Sequence, residues 1–234
     1  MLESGGLFSR LAASAGEAWR EYTRHPFVLQ LAAGTLPAAS FRCYLIQDYL
    51  FLRHFARAWG LAVYKAERFE EMRRAARTLA ATLDHEMGLH IAYCRRWGLS
   101  EGALEASPEA NETIAYTRFV LDRGQSGDLL DLEAALAPCI LGYAEIAAER
   151  MADPATRRDG NPYREWLEMY SGSEYRSLAS EEGRALDRLF AERGGEGRFP
   201  RLAADFAVAT RLETAFWQMG LDAVPSPSKG AGPS

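Results

Sequence analysis

Apolar positions recur at intervals of three and four along almost the whole chain, and no stretch alternates apolar and polar residues as a half-buried strand does. The pattern predicts an all-α protein. A first helix runs from Leu7 to Arg24, where His25-Pro26-Phe27 interrupts it, and a short segment leads to the turn signal AGTLP at 33–37. A long helix begins about Pro37 and passes Trp59, and another covers 67–97, ending near Gly98. Ser107-Pro108 predicts the next start, because serine caps a helix and proline suits its first turn. That helix stops at the Gly124–Gly127 turn, and Asp128 caps the stretch that carries Cys139. Residues 153–162 read as a loop. Pro162 opens a short aromatic helix to Tyr170, a Ser-Gly-Ser break follows, and two further helices cover about 174–193 and 200–220. No internal repeat is present, so a single all-α domain is expected over 1–222, with a disordered Pro/Gly/Ser-rich tail over 223–234.

Writing out the helix faces isolates three polar groups on apolar stripes. One face of the long helix reads Phe41, Tyr44, Leu45, Asp48, Phe51, Leu52, Phe55, with Arg42, Arg53 and Arg57 elsewhere. The last helix presents Phe206, Ala209, Glu213, Phe216, Trp217 and Gly220, opposite a solvated side of Arg211, Thr214 and Gln218. The third stripe is Leu132, Leu136, Cys139, Gly142, Tyr143, Ile146. A carboxylate rarely enters a core without a partner, since losing its water costs several kcal/mol or forces protonation. Each acid alone has an ordinary explanation in an inward-reaching Arg or Tyr. Two acids and a thiol together favour a shared polar pocket, in which burial raises the carboxyl pKa values and makes one a proton shuttle. Cys139 taken singly is either a small buried hydrophobe or a nucleophile. Pro138 removes a donor to the Ala134 carbonyl and predicts a kink. That kink either points Cys139 into a cavity, with Gly142 leaving room for a ligand, or only accommodates neighbouring helices. Tyr163, Trp166 and Tyr170 at helical spacing fit a core as readily as a ligand box, and Tyr116 is uninformative alone.

Composition narrows the class. Hydrophobic residues make up 48% of the 234, and the formal charge of −5 comes without a dense Lys/Arg stripe, which argues against a nucleic-acid binder. The longest apolar run, Ala134 to Ala144, is far shorter than the ~20 residues that span a bilayer. The start, MLESGGLFSR, has no apolar signal core. Cys43, Cys94 and Cys139 match neither a disulfide framework nor a zinc pattern, so reduced thiols in a cytoplasmic protein are expected. DHEMGLH at 84–90 offers Glu86 and His90 four apart, but the Glu-x-x-His pairs of helical di-iron sites are absent, and no metal or other cofactor is expected. His90 and Glu86 are assigned by default to a solvated or intersubunit face. His25 and His54 are isolated, and capping or a hydrogen bond within the bundle accounts for His54.

HPF at 25–27, GTLP at 34–37, FRCYLIQDYLFLRHFA at 41–56, EMGLH at 86–90, LAPCILGYAE at 136–145, YREWLEMYSG at 163–172 and ETAFWQM at 213–219 occur in one order along residues 15–220. Together they make the chain resemble the thiaminase II (TenA) family. The resemblance implies a haem-oxygenase-like helical bundle that binds no haem, assembled as a homotetramer. It implies hydrolysis of aminopyrimidines in thiamin salvage, aminomethyl-pyrimidine or thiamin going to hydroxymethyl-pyrimidine. Cys139 would be the nucleophile, Glu213 the principal acid/base and Asp48 the group holding the exocyclic amine. Tyr143 and Phe216 would sandwich the ring, with Tyr170 and Tyr116 hydrogen-bonding around it. Phe51 stands where many members have tyrosine, so one hydroxyl is missing from the implied site. The competing readings are a non-catalytic pyrimidine-binding or regulatory protein and a metal-dependent oxidase of the same fold.

Overall fold

The computed structural model describes residues 5–223, and among these there are helices and turns but no strand. The expected first helix is two, α1 (Leu7–Ala15) and α2 (Glu17–Thr23), because Gly16 between them takes φ 56°, which no helix interior tolerates. His25 then caps α3 (Pro26–Ala33) through its ring Nδ1, which accepts from the Phe27 amide. The long helix α4 (Ala38–Lys65) runs past Trp59 by a further turn and more. The 67–97 stretch is α5 (Phe69–Ala81) and α6 (Met87–Arg96), joined by a π-helical turn over Thr82–Glu86.

A short helix unforeseen from the pattern, α7 (Glu101–Glu105), is capped by Ser100. It displaces the next start. Ser107 closes α7 by donating to the Ala103 carbonyl, and α8 (Asn111–Ser126) opens three residues beyond Pro108. Its cap comes from another element: Gln47 of α4 donates to the Pro108 carbonyl and accepts from the Ala110 amide and the Thr113 hydroxyl. Sequence-local capping rules cannot foresee a tertiary cap. Asp128 does cap α9 (Leu129–Ala137) as predicted, accepting from the Leu130 and Asp131 amides. A second π-helical turn, Pro138–Gly142, leads into α10 (Tyr143–Ala152). After the 153–162 loop come α11 (Arg164–Ser171), starting two residues after Pro162, α12 (Ser173–Glu192), and α13 (Phe199–Asp222). Of the predicted tail only Ala223 is described; 224–234 lie outside the described residues.

Helix α13 packs against α1, α2, α4, α8 and α9, and α4 packs against α5, α6 and α8 as well, so these two rods form the centre. The core between them is aromatic: Tyr44, Trp166 and Trp217 are each fully shielded, and Phe27 stacks on Trp217 with ring centroids 5.0 Å apart. The three stripes predicted from spacing are all turned inward. Among the described residues no helix is long and apolar enough to cross a membrane.

Candidate active site

A cavity of about 170 Å³ opens where α4, both π turns, α11 and α12 meet. Asp48, Phe51 and Phe55 line it from α4, Thr82 and Glu86 from the first π turn, Cys139 and Ile140 from the second, then Tyr143, Tyr170 and Tyr175. An engineered apolar cavity of about 150 Å³ holds benzene, so this volume suits one substituted six-membered ring. Exposed Glu174 marks the mouth, and no Lys or Arg is among the described lining residues.

Both π turns supply residues to the cavity lining. A π turn is wider than an α turn and is found frequently at functional sites. On α5–α6 it keeps Thr78, Thr82, Glu86, His90 and Cys94 on one face at steps of four, where a straight α-helix would carry them progressively round. In the second turn the altered carbonyls find partners: the Tyr22 hydroxyl donates to Pro138 at 3.1 Å and the Tyr175 hydroxyl to Ile140 at 3.2 Å. Cys139 thus faces the cavity, one of the two outcomes the kink left open. Gly142 serves a different end from the one expected. A Cβ there would lie 2.8 Å from Tyr22 Cε1 and 3.1 Å from Trp19, so its bareness accommodates helix α2 and gives no room to a ligand.

The two acids reach the same place by different depths. Asp48 lies on the cavity wall, only 5% exposed. Glu213, 2% exposed, sits one layer behind the wall, where the Tyr116 hydroxyl donates to its Oε1 at 2.9 Å. Burial outweighs that hydrogen bond and, with the charge of Asp48, pushes Glu213 up to about 8. The Cys139 thiol is also held well above its ordinary range, first by burial and then by Glu213, Glu86 and Asp48 in that order. Thiol and Glu213 carboxyl therefore compete for one negative charge. Phe51, Tyr143 and Tyr170 line the cavity, while Phe216 and Tyr116 stand behind Phe51, at ring separations of 5.9 and 4.9 Å.

Glu86 and His90 require a correction. Neither lies on a solvated face. His90 is fully buried, its Nε2 2.6 Å from Asp48 Oδ2 and its Nδ1 2.8 Å from the Glu86 carbonyl. A carbonyl only accepts, so Nδ1 donates, and Nε2 and Oδ2 share a single proton between them. Burial pulls the imidazole pKa down, but the Asp48 charge and hydrogen bond, with Glu86, raise it overall. Tyr44, itself receiving the Trp166 indole N–H at 3.1 Å, completes the hold on Asp48. Glu86 receives the Tyr170 hydroxyl at 2.8 Å and is pushed up to about 7 by burial and Asp48, against the opposing pull of His90 and Tyr170. The four-residue repeat from Thr78 to Cys94 is the signal that could have found them, hidden because it drifts off a straight helix. Tyr175 carries no signal beyond an aromatic in a helix. His54 pairs with Glu109 at 2.6 Å, away from the cavity lining. Among the described residues no group of three or more His, Cys, Asp or Glu side chains is arranged to hold a metal ion.

A helical bundle with a thiol and buried acids around a ring-sized hole is the architecture of a small-molecule enzyme, and known proteins of the same build identify its kin. The profile of the TENA/THI-4/PQQC family matches residues 12–223, and the chain belongs to that family. It is 36% identical over 201 residues to an aminopyrimidine aminohydrolase from Halalkalibacterium halodurans, covering 86% of this chain and 89% of that one. A protein from Haemophilus influenzae described as uncharacterized is 42% identical over 216 residues, covering 92% of this chain and 99% of its own. The crystal structure of a TenA family transcription regulator from a Silicibacter species superposes with a TM-score of 0.87 at 47% identity, covering 93% of this chain and 97% of that one.

Proposed function

We propose that the chain is an aminopyrimidine hydrolase of thiamin salvage, turning aminomethyl-pyrimidine, and thiamin where it is admitted, into hydroxymethyl-pyrimidine through Cys139. The observation that carries this reading is the thiol in an acidic, aromatic-walled hole of single-ring size, with Glu213 beside it. The ring lies between Phe51 and Tyr143, with Phe216 backing Phe51, and Asp48, fixed by His90, accepts from the exocyclic amine. Glu213 takes the thiol proton as sulfur adds to the ring carbon next to the one bearing the arm, and passes it to the ring nitrogen that gains the electron pair. The amine is then expelled, water adds to the exposed methylene, and the thiol leaves. Tyr116 steadies Glu213 throughout.

The test incubates wild type and Cys139→Ala with both substrates and measures hydroxymethyl-pyrimidine. A loss of at least about 100-fold in the variant is expected, and equal turnover by the two proteins would remove the nucleophile. A regulatory reading has one observation behind it, the description of the Silicibacter relative. Pyrimidine binding with no product from wild type would favour it. The three free thiols fit a reducing cytoplasm, and the family resemblance supports a homotetramer, which light scattering on the purified protein checks.

A further inference from the structure

Expelling an amine demands a proton at a second place, distinct from the sulfur and the ring nitrogen. An amide-like anion does not leave carbon in water-poor surroundings, so a carboxyl must meet the arm. Glu213 is poorly placed to supply it, lying behind the wall, bound to Tyr116 and adjacent to the sulfur. The acid must line the cavity itself, and three carboxyls do so: Asp48, Glu86 and Glu174. His90 and Tyr44 already hold Asp48. Glu174 stands exposed at the mouth, in water. Glu86 alone is sheltered, faces the cavity and is oriented by a neutral donor, the Tyr170 hydroxyl at 2.8 Å. It stands at the end of the first π turn.

Resting on the hydrolase reading above, we propose that Glu86 is the acid that keeps the departing amine protonated, a catalytic role separate from that of Glu213. Once sulfur is bound, the ring electrons move towards the arm, the carbon–nitrogen bond breaks with its pair on nitrogen, and the Glu86 proton goes with it as ammonia. Glu86 is left as carboxylate. Water adds to the methylene, its proton returns to Glu86, and the adduct then expels the Cys139 sulfur, with the ring-nitrogen proton returning through Glu213. The sum is one water consumed and one ammonia released. Burial and the neighbouring Asp48 charge keep Glu86 partly protonated near neutral pH, in keeping with this use.

A leaving group that carries a fixed positive charge departs as a neutral amine and needs no proton, which separates this role from every other. The experiment compares the aminomethyl substrate with its trimethylammoniomethyl counterpart in wild type, Glu86→Gln and Glu213→Gln, following kcat/KM for hydroxymethyl-pyrimidine. Glu86→Gln is expected to lose at least about 100-fold on the aminomethyl substrate and less than about 10-fold on the charged one. Glu213→Gln is expected to lose equally on both, since thiol activation precedes either departure. Equal losses, or none, in Glu86→Gln would overturn the proposal, as would a leaving-group-selective loss in Glu213→Gln. If Glu86→Gln melts out of its fold by circular dichroism, Glu86→Asp replaces it. Its retracted acid is expected to show the same selectivity at smaller size, and equal losses again overturn the role. A wild type inactive on both substrates refutes the hydrolase reading itself; an active one with unselective variants refutes only the Glu86 assignment.

Discussion

A thiol surrounded by carboxyls resists ionisation, so the proposed mechanism requires Cys139 to hand its proton to Glu213 as it attacks. Glu213 has its folded pKa raised from 4.5 to about 8, so its contribution to stability is fully present below the ordinary value and is lost as pH rises through about 8. Glu213→Gln keeps the Tyr116 hydrogen bond without that liability. Its Tm relative to wild type is expected to improve by several degrees between pH 5 and pH 9, measured by calorimetry, while turnover falls. His90 acts through Asp48. His90→Gln is expected to raise KM for the aminopyrimidine at least about tenfold with a smaller change in kcat, because Asp48 loses the hydrogen bond that fixes its orientation. Phe51→Tyr restores a hydroxyl near Tyr116 and the cavity. Turnover is expected to hold or rise in steady-state assays, and a fall would count against the site as drawn.

Elements set the site through their irregularities. Each π turn delivers a cavity-lining polar group, Glu86 at the end of one and Cys139 within the other, while regular turns on either side bury apolar stripes. The second turn leans on α2, whose Tyr22 fills the space over Gly142 and bonds the Pro138 carbonyl. Gly142→Ala is expected to cost roughly 1–3 kcal/mol, read as several degrees of Tm, and to lower activity as well, since Tyr22 must move and release the turn that holds Cys139.

The whole molecule is tied beneath the cavity by a buried ionic cluster. Arg74 of α5 bonds Glu133 of α9 and Glu182 of α12, and the Thr78 hydroxyl, itself on the cavity wall, donates to Glu182 at 2.8 Å. One guanidinium serves two carboxyls, and burial together with Glu182 leaves Glu133 pushed up to about 7 in spite of Arg74. Arg74→Met strands both acids. A loss of about 3–5 kcal/mol is expected, read from urea unfolding, with the deficit largest at alkaline pH where neither acid can take a proton. The cluster fastens three helices that each supply cavity residues or their immediate neighbours, so ligand binding is expected to slow exchange across all three.

Periodicity alone was enough for the all-α class, the three inward stripes and the anomalous trio Cys139, Asp48 and Glu213, because a 3.6-residue repeat records burial directly. Asp128 was legible as a cap because its partners, the amides of Leu130 and Asp131, lie within the next three residues. What the chain could not reveal by itself was where local rules yield to neighbours: the start of α8, fixed by Gln47 from another helix; the purpose of Gly142, fixed by Tyr22; and the inward turn of Glu86 and His90, which depends on a widened helical turn. A helical wheel assumes a constant pitch, and packing is what altered it. Which regular stripes are buried is legible in the order of residues along the chain, whereas where a helix changes pitch, and which buried groups then meet, is decided only when distant helices press together.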